Sequence, residues 1–514
     1  MTEGSHAGGG SRGGENTRKW LALGFVLLAV TIAVIDNTVL TVSIPRIIED
    51  LDTDVTGAQW VFTGYALAFA STLVIGGRLG DMYGPRRILL IGTALFGVGS
   101  LIAALSTSLS MLLVGEAVIE GIGAGLLVPN TMALLARTFE GRQRIAAFTA
   151  YATVMGAAAA IGPVLGGYLT TYHSWRWAFG INVVIAPMVM VGLLATTGRD
   201  VRGERERLDI KGALLIAGGT FLVVFGLSQG EIYGFWQPTA AVTVAGAEAW
   251  PASMPISSIP VAFAVGAGLL VWFWRTELSL ERRQAQPLFE FSQFRFRTFR
   301  LTNLSTFFLA FAHLGVGFTV SIFLQDSRGL TPMENGLWIL PSGVAILVGA
   351  PIGGWLSRYV GATTTMRIGS TGVVVGMVAL TAALAADVGY WTALPAFAVY
   401  GLFSGLVASQ ITRVLLHDVP PESSGAASGI NTTLRQIATA LGVATVGAIF
   451  TAVAAERGVD QALWPAMAAP IVALAVSSAV FWRTPHIDGP SVGYERPAAD
   501  EASSMEAVAE ALEA

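Results

Sequence analysis

Trp20–Ile44 reads WLALGFVLLAVTIAVIDNTVLTVSI, and its only charged residue is Asp36. At 1.5 Å of rise per residue, about 20 apolar residues cross a hydrocarbon core about 30 Å thick. The run is too long for a signal-peptide core and lacks a small-residue cleavage site, so it predicts an uncleaved first transmembrane helix. Apolar blocks of this kind recur along nearly the whole chain. Of 514 residues, 53% are hydrophobic and only 12% charged, against about 25% charged in soluble domains. A large soluble protein does not need so many long runs without charge. The fold class is therefore an all-α membrane protein.

Hydropathy places spans at about 20–45, 57–77, 88–106, 109–136, 144–169, 177–197, 210–228, 257–275, 300–325, 333–356, 366–386, 390–412, 424–453 and 461–482. Residues 1–19, rich in Gly and Ser with Arg12, Arg18 and Lys19, read as a disordered tail, and 483–514, rich in Ala and Glu, as a second one. The stretch 229–256 is polar and aromatic, with Pro238, Pro251 and Pro255 inside it and Pro260 just after. It reads as a long external loop with room for short structure of its own.

Basic residues orient the spans. Arg78, Arg86, Arg87, Arg137, Arg142, Arg144, Arg199, Arg202, Arg205, Arg207 and Lys211 fall on the side of the N-terminus, as do Arg275, Arg282, Arg283, Arg295, Arg297 and Arg300. The other side keeps only Arg46, Arg176, Arg328 and Arg457. This asymmetry predicts both termini in the cytoplasm, an even helix count and an inner (plasma) membrane location.

Two blocks look alike: Gly-Gly-Arg-Leu-Gly-Asp-Met-Tyr-Gly-Pro-Arg-Arg at 76–87, and Gly-Gly-Trp-Leu-Ser-Arg-Tyr-Val-Gly at 353–361. Each is read as the short loop after the second helix of its half. The repeat predicts two homologous six-helix bundles, 20–197 and 300–482, with two extra helices within 198–299 sitting between them. Transporters built this way bind substrate where the halves meet, near the membrane midplane.

These residues resemble the major facilitator superfamily, and specifically its fourteen-helix drug:proton antiporters, over about residues 20–485. Residues 76–87 are similar to that family's loop motif between helices two and three. Gly156 to Gly167, ending Gly162-Pro163-Val164-Leu165-Gly166-Gly167, resembles its fifth-helix antiporter motif. Ile35-Asp36-Asn37-Thr38-Val39 through Pro45 resembles its first-helix motif, and Ser174-Trp175-Arg176-Trp177-Ala178-Phe179 with Asn182 its signature at helix six. One departure stands out. Where the family usually has Arg-x-x-Gln-Gly in helix four, this chain has Ala117-Val118-Ile119-Glu120-Gly121 after Glu116. The resemblance implies export of amphipathic compounds in exchange for protons, with the helix-one acid at Asp36.

The residues point the same way. Asp36 lies deep in an apolar helix, where a bare carboxylate costs several kcal/mol. Loss of water favours the neutral form of a carboxyl, so it suits a group that is protonated in one state and ionised and substrate-attracting in another. A structural carboxylate capped by a neighbour is the plainer reading. Glu116 and Glu120, four residues apart, share a helix face. Two carboxylates there repel when both are ionised, which favours holding a proton. Alternatively Glu120 pairs with Arg435, the only basic residue placed well inside a span, and a structural ion pair and a transport role remain open for that arginine. His313 is a candidate proton relay, or a simple hydrogen bond between helices.

Gly77, Arg78, Asp81, Gly84, Arg86 and Arg87 form a gating constellation. Its glycines permit close approach and a tight turn. Asp81, read as buried, is expected to meet the positive N-terminal end of the thirteenth helix near Ser423-Ser424-Gly425. Gly156, Gly162, Gly166 and Gly167 allow close packing, and Pro163 removes a backbone donor and bends the helix. Candidate cavity residues are Trp60, Tyr65, Phe69, Asn130, Tyr151, Phe307, Phe308, Phe311, Trp338 and Asn431. An aromatic cavity with few polar groups suits large amphipathic ligands.

Other classes are excluded. There is no cysteine, and five histidines lack ligand spacing, so no metal site is expected. A net charge of −4 gives nucleic acid no electrostatic support. No catalytic constellation and no Gly-Lys-Ser/Thr phosphate loop appear, so the chain reads as no enzyme, needs no cofactor and draws on the proton gradient. Its partners are small amphipathic substrates, protons and the lipid bilayer, and one chain is expected to function as a monomer. The competing readings are an exporter of one endogenous lipid or secondary metabolite, and a non-transporting membrane sensor or scaffold.

Overall fold

A computed structural model describes residues 9–198, 209–244, 247–283, 287, 289–420 and 423–487. Among them, fourteen helices are long and apolar enough to cross a membrane, which makes the chain a multi-pass membrane protein. In chain order they are α1 (Gly9–Asp50), α2 (Val55–Tyr83), α3 (Pro85–Ala104), α4 (Leu109–Thr138), α5 (Gly141–Tyr172), α6 (Arg176–Thr196) and α7 (Ile210–Tyr233). Then follow α8 (Ser258–Arg282), α9 (Arg297–Ser327), α10 (Pro332–Val360), α11 (Ala362–Ala385), α12 (Tyr390–Leu415), α13 (Ser424–Arg457) and α14 (Val459–Arg483). Most run a few residues past the hydropathy bounds, because hydropathy reads only the part that lipid covers. Residues 9–19, expected as a disordered tail, continue α1, since once nucleated a helix extends at little cost into polar sequence. Residues 1–8 and 488–514 of the two expected tails lie outside the described residues.

Local chemistry fixes the helix ends. Asp54 accepts the Gly57 N–H at 2.6 Å ahead of α2. Thr331 and Glu334 form a reciprocal capping box on α10. The loop at 229–256 carries a two-stranded antiparallel hairpin, β1 (Val242–Val244) with β2 (Ala247–Trp250).

The repeated block is a hinge rather than a loop. Residues 76–83 belong to α2, and the single residue Gly84, at φ 95°, separates α2 from α3. Gly361, at φ 82°, separates α10 from α11 in the same way. Each hinge N–H still reaches back four residues, Gly84 to the Gly80 carbonyl and Gly361 to that of Ser357. A side chain at such positive φ is strained, so glycine is needed here.

Helices α1–α6 pack among themselves, as do α9–α14. The halves meet along two seams, α2 against α13 and α5 against α10. The extra pair α7–α8 does not separate the halves, because α2 and α13 touch directly. Instead α7 lies across that seam, touching both α2 and α13, with α8 packed on it. The end away from the termini is closed. Gln325 donates to the Val42 carbonyl at 3.0 Å, the Met333 N–H donates to Thr171 at 2.9 Å, and Phe62 meets Phe318 edge to face at 5.7 Å.

Candidate functional site

Close backbone contact between α3 and α4 builds the site. A Cβ on Gly99 would come within 2.7 Å of the Gly115 carbonyl oxygen, and one on Gly115 within 2.8 Å of the Ala103 nitrogen. In that contact α4 runs as a π-helix over Leu113–Glu120. A π-turn inserts an extra residue per turn and is frequent at functional sites. Here it carries both Glu116 and Glu120.

Asp36, Glu116 and Glu120 come together: one oxygen of each lies within 4.8 Å of the others, and all three residues are buried. The carboxyls of Asp36 and Glu116 thus lie close together, with no basic side chain among the described residues bonded to either. Asn182 of α6 donates to Asp36 at 2.9 Å, and Ser100 of α3 donates to Glu120. Asp36 Oδ2, Glu116 Oε2, Glu120 Oε2 and Asn182 Oδ1 have no partner. Of the supporting pair, Ser100 carries no signal in the sequence. It matters only because the two helices touch.

Two expectations change. Asp36 points into the N-terminal bundle, toward α3, α4 and α6, and not into the space between the halves. The C-terminal half meets α1 at the Val42 carbonyl, about 240° further round the helix. At 1% exposure the carboxyl does not line the space between the halves. Glu120 does not pair with Arg435 either, because Glu120 is held in the acid cluster while Arg435 lies on α13 of the other half. His313 hydrogen-bonds to Leu309 of its own helix at 3.1 Å, and its ring lies 5.4 Å from that of Tyr400 on α12.

The gating residues are dispersed around the α2–α3 hinge. Asp81 is exposed rather than buried, at 69% of its side chain, and pairs with Arg137 of α4 at 3.4 Å. It lies in the last turn of α2, three residues before Gly84, where its side chain is open to solvent. Arg78 donates to the Pro287 carbonyl in the segment after α8. Arg86 donates to the Leu194 carbonyl at 3.1 Å, and Arg87 is exposed. A Cβ on Gly77 would lie 3.8 Å from Pro129 Cβ.

The α5 glycines serve both sides of a seam. Gly162 and Gly166 press on α1, where added Cβ atoms would come within 1.8 Å of Thr38 Oγ1 and 2.8 Å of Val39 Cα. Gly156 and Gly167 press on α10, at 2.6 Å from Leu347 and 2.4 Å from the Pro332 carbonyl oxygen. Pro163 faces Gly336 of α10 across the same contact.

Most proposed cavity residues turn out to be packing groups. Asn130 is fully buried and donates to the Gly76 carbonyl at 2.8 Å, tying α4 to α2. Asn431 is buried and donates to Asn303 at 3.0 Å and Thr306 at 2.9 Å. Tyr65 and Phe69 meet edge to face in the N-terminal bundle, 6.0 Å apart, and Tyr151 is buried there too. Trp338 packs on Tyr390 and under the Arg328 guanidinium at the closed end. Trp60 packs at a tilt against Phe221 of α7, at 5.6 Å. Phe307, Phe308 and Phe311 on α9 are half-buried. A buried polar group needs a partner, and in an apolar bundle that need draws amides onto neighbouring backbones.

The chain is 30% identical to the tetracenomycin C resistance and export protein of Streptomyces glaucescens, with 85% of this chain and 77% of that one aligned. It is also 30% identical to the lincomycin resistance protein of Streptomyces lincolnensis, over 83% of each. The auto-inhibited POT family peptide transporter has the same fold at a TM-score of 0.64, with 16% identity, 93% of this chain and 99% of that one covered. The family model described as Major Facilitator Superfamily matches residues 26–443; this chain belongs to that superfamily and is a transporter, not an enzyme.

Proposed function

We propose that the chain is a proton-coupled antiporter that exports amphipathic, drug-like compounds across the plasma membrane by alternating access. One observation carries the reading: three buried carboxyl groups meet inside one bundle without a counter-cation among the described residues. Carboxyls this close in a dry site favour holding a proton among them. Losing that proton leaves like charges at close range in a dry site, and such repulsion is relieved by moving helices apart. Because the cluster joins α1, α3, α4 and α6, its protonation state bears on how the N-terminal bundle packs. Coupling is then conformational rather than a direct contest for Asp36 between proton and substrate. The antibiotic resistance and export relatives supply the substrate class. Positive-inside bias puts both termini in the cytoplasm, so the closed end is the outward one on this reading.

Efflux from proteoliposomes under an imposed pH gradient tests this, comparing wild type with Asp36→Asn. The variant is expected to lose gradient-driven efflux while retaining substrate binding, since Asp36 does not touch the substrate. Undiminished gradient-driven efflux in the variant refutes the coupling role. Efflux of several chemically unrelated compounds separates a drug exporter from a transporter of one endogenous product.

A further inference from the structure

Arg435 lies well inside the C-terminal half, eight residues or about 12 Å along α13 from Ala427, where its membrane span begins. Its side chain is exposed. No described residue gives it a hydrogen bond or an ion pair. An arginine in that position is costly unless it faces water or an anion.

It faces the interior of the molecule and not lipid. On one helix stripe, Asn431 precedes it by four residues, and Gly442 and Val446 follow by seven and eleven. Asn431 bonds to α9. A Cβ on Gly442 would strike the Phe311 carbonyl oxygen of α9 at 1.9 Å, and Val446 packs on Gly315 of the same helix. Val446 also joins the apolar plug containing Leu40, Phe62 and Phe318 that closes the far end. Arg435 therefore sits beneath that plug, on the stripe turned toward α9, where the space is open. Its charge reaches His313 on α9, whose ring packs on Tyr400 of α12.

The acids deep in the spans are elsewhere. Asp36, Glu116 and Glu120 are at most 1% exposed inside the other bundle, Glu277 is buried in α8 against the Phe289 N–H, and Asp326 lies in the last turn of α9 at the closed end, so none of them sits beside Arg435 to meet a cationic substrate. The charge a substrate meets here is positive. We infer that Arg435 anchors an anionic group of the exported compound, so that the transporter selects amphipathic anions such as carboxylates and phenolates. A guanidinium presents a planar fork of donors that matches a carboxylate, and such paired charged hydrogen bonds are among the strong ones. Exchange of an anion for protons also moves one more positive charge inward than exchange of a neutral compound, so the membrane potential adds to the drive.

This inference rests on the exporter reading, and the test separates the two. Purified full-length protein in nanodiscs is titrated with three fluorescent probes sharing one apolar body: 11-(dansylamino)undecanoic acid, its methyl ester, and the trimethylammonium analogue. The carboxylate is expected to bind most tightly. Arg435→Gln should weaken the carboxylate by about tenfold or more and leave the ester unchanged, with Arg435→Lys retaining part of the preference. Equal binding of the three probes, or preference for the ammonium, overturns the inference while gradient-driven efflux keeps the exporter reading. Equal weakening of all three probes by Arg435→Gln assigns the arginine to packing and also overturns it. If no probe binds and no gradient-driven efflux occurs, both readings fall.

Discussion

Gln59 of α2 sits in the seam with α13, 1% exposed, with neither its Oε1 nor its Nε2 partnered. Across from it a Cβ on Gly447 would lie 1.9 Å from Nε2, so the amide is pressed against the other half. Burying an amide without partners costs about 1–3 kcal/mol on mutational scales. The closed end bears that cost, and opening it to water removes it. Gln59→Met keeps the length of the side chain and deletes both polar atoms, so it should favour the closed end by about 1–3 kcal/mol. That corresponds to a shift of about 5- to 150-fold in the closed-to-open ratio. The chain has no cysteine, so a spin-label pair introduced through Tyr172→Cys and Trp391→Cys needs no background removal. These sites are 63% and 81% exposed, one in each half at the closed end. Double electron–electron resonance should show the short-distance population growing in Gln59→Met. An unchanged ratio, or growth of the long-distance population, refutes the reasoning.

Other perturbations follow the same logic. Gly166→Ala places a methyl 2.8 Å from Val39 Cα, a backbone atom that cannot step aside. It should cost about 1–3 kcal/mol of stability in thermal unfolding in detergent, whereas Gly24→Ala, with nothing within 4 Å, should not show that steric loss. Asp418, in the connection between α12 and α13, has burial raising its carboxyl pKa but hydrogen bonds from Thr298 and His417 prevailing, so the net position is below the ordinary 3.8. A carboxyl whose folded pKa is depressed stabilises the fold above its unfolded value and loses that effect as pH falls through the folded one. Asp418→Asn should therefore lower the melting temperature at neutral pH, and the difference from wild type should shrink below about pH 3.8. A difference that does not vary with pH would contradict this assignment.

Local composition was enough to identify the spans and their number. Lipid demands long apolar helices, so the spans are written residue by residue. Asp36, Glu116 and Glu120 were legible for the same reason: a charge in an apolar run is conspicuous. Their meeting was not legible, because it depends on a π-turn and on backbone contact between α3 and α4, and neither leaves a periodic trace. Nor does sequence show which way a carboxyl points. Asp36 reads from the sequence as substrate-attracting, and the packing of α1 turns it into its own bundle. Asn130 and Asn431 looked like cavity polar groups, but tertiary contact supplied them with backbone and side-chain partners. Arg435 is the converse case: its sequence leaves an ion pair and a transport role both open, and the fold gives it no ion pair among the described residues. Sequence states which groups are costly in a membrane, and only the packing of helices decides which of those costs are met by neighbours and which are left for a ligand.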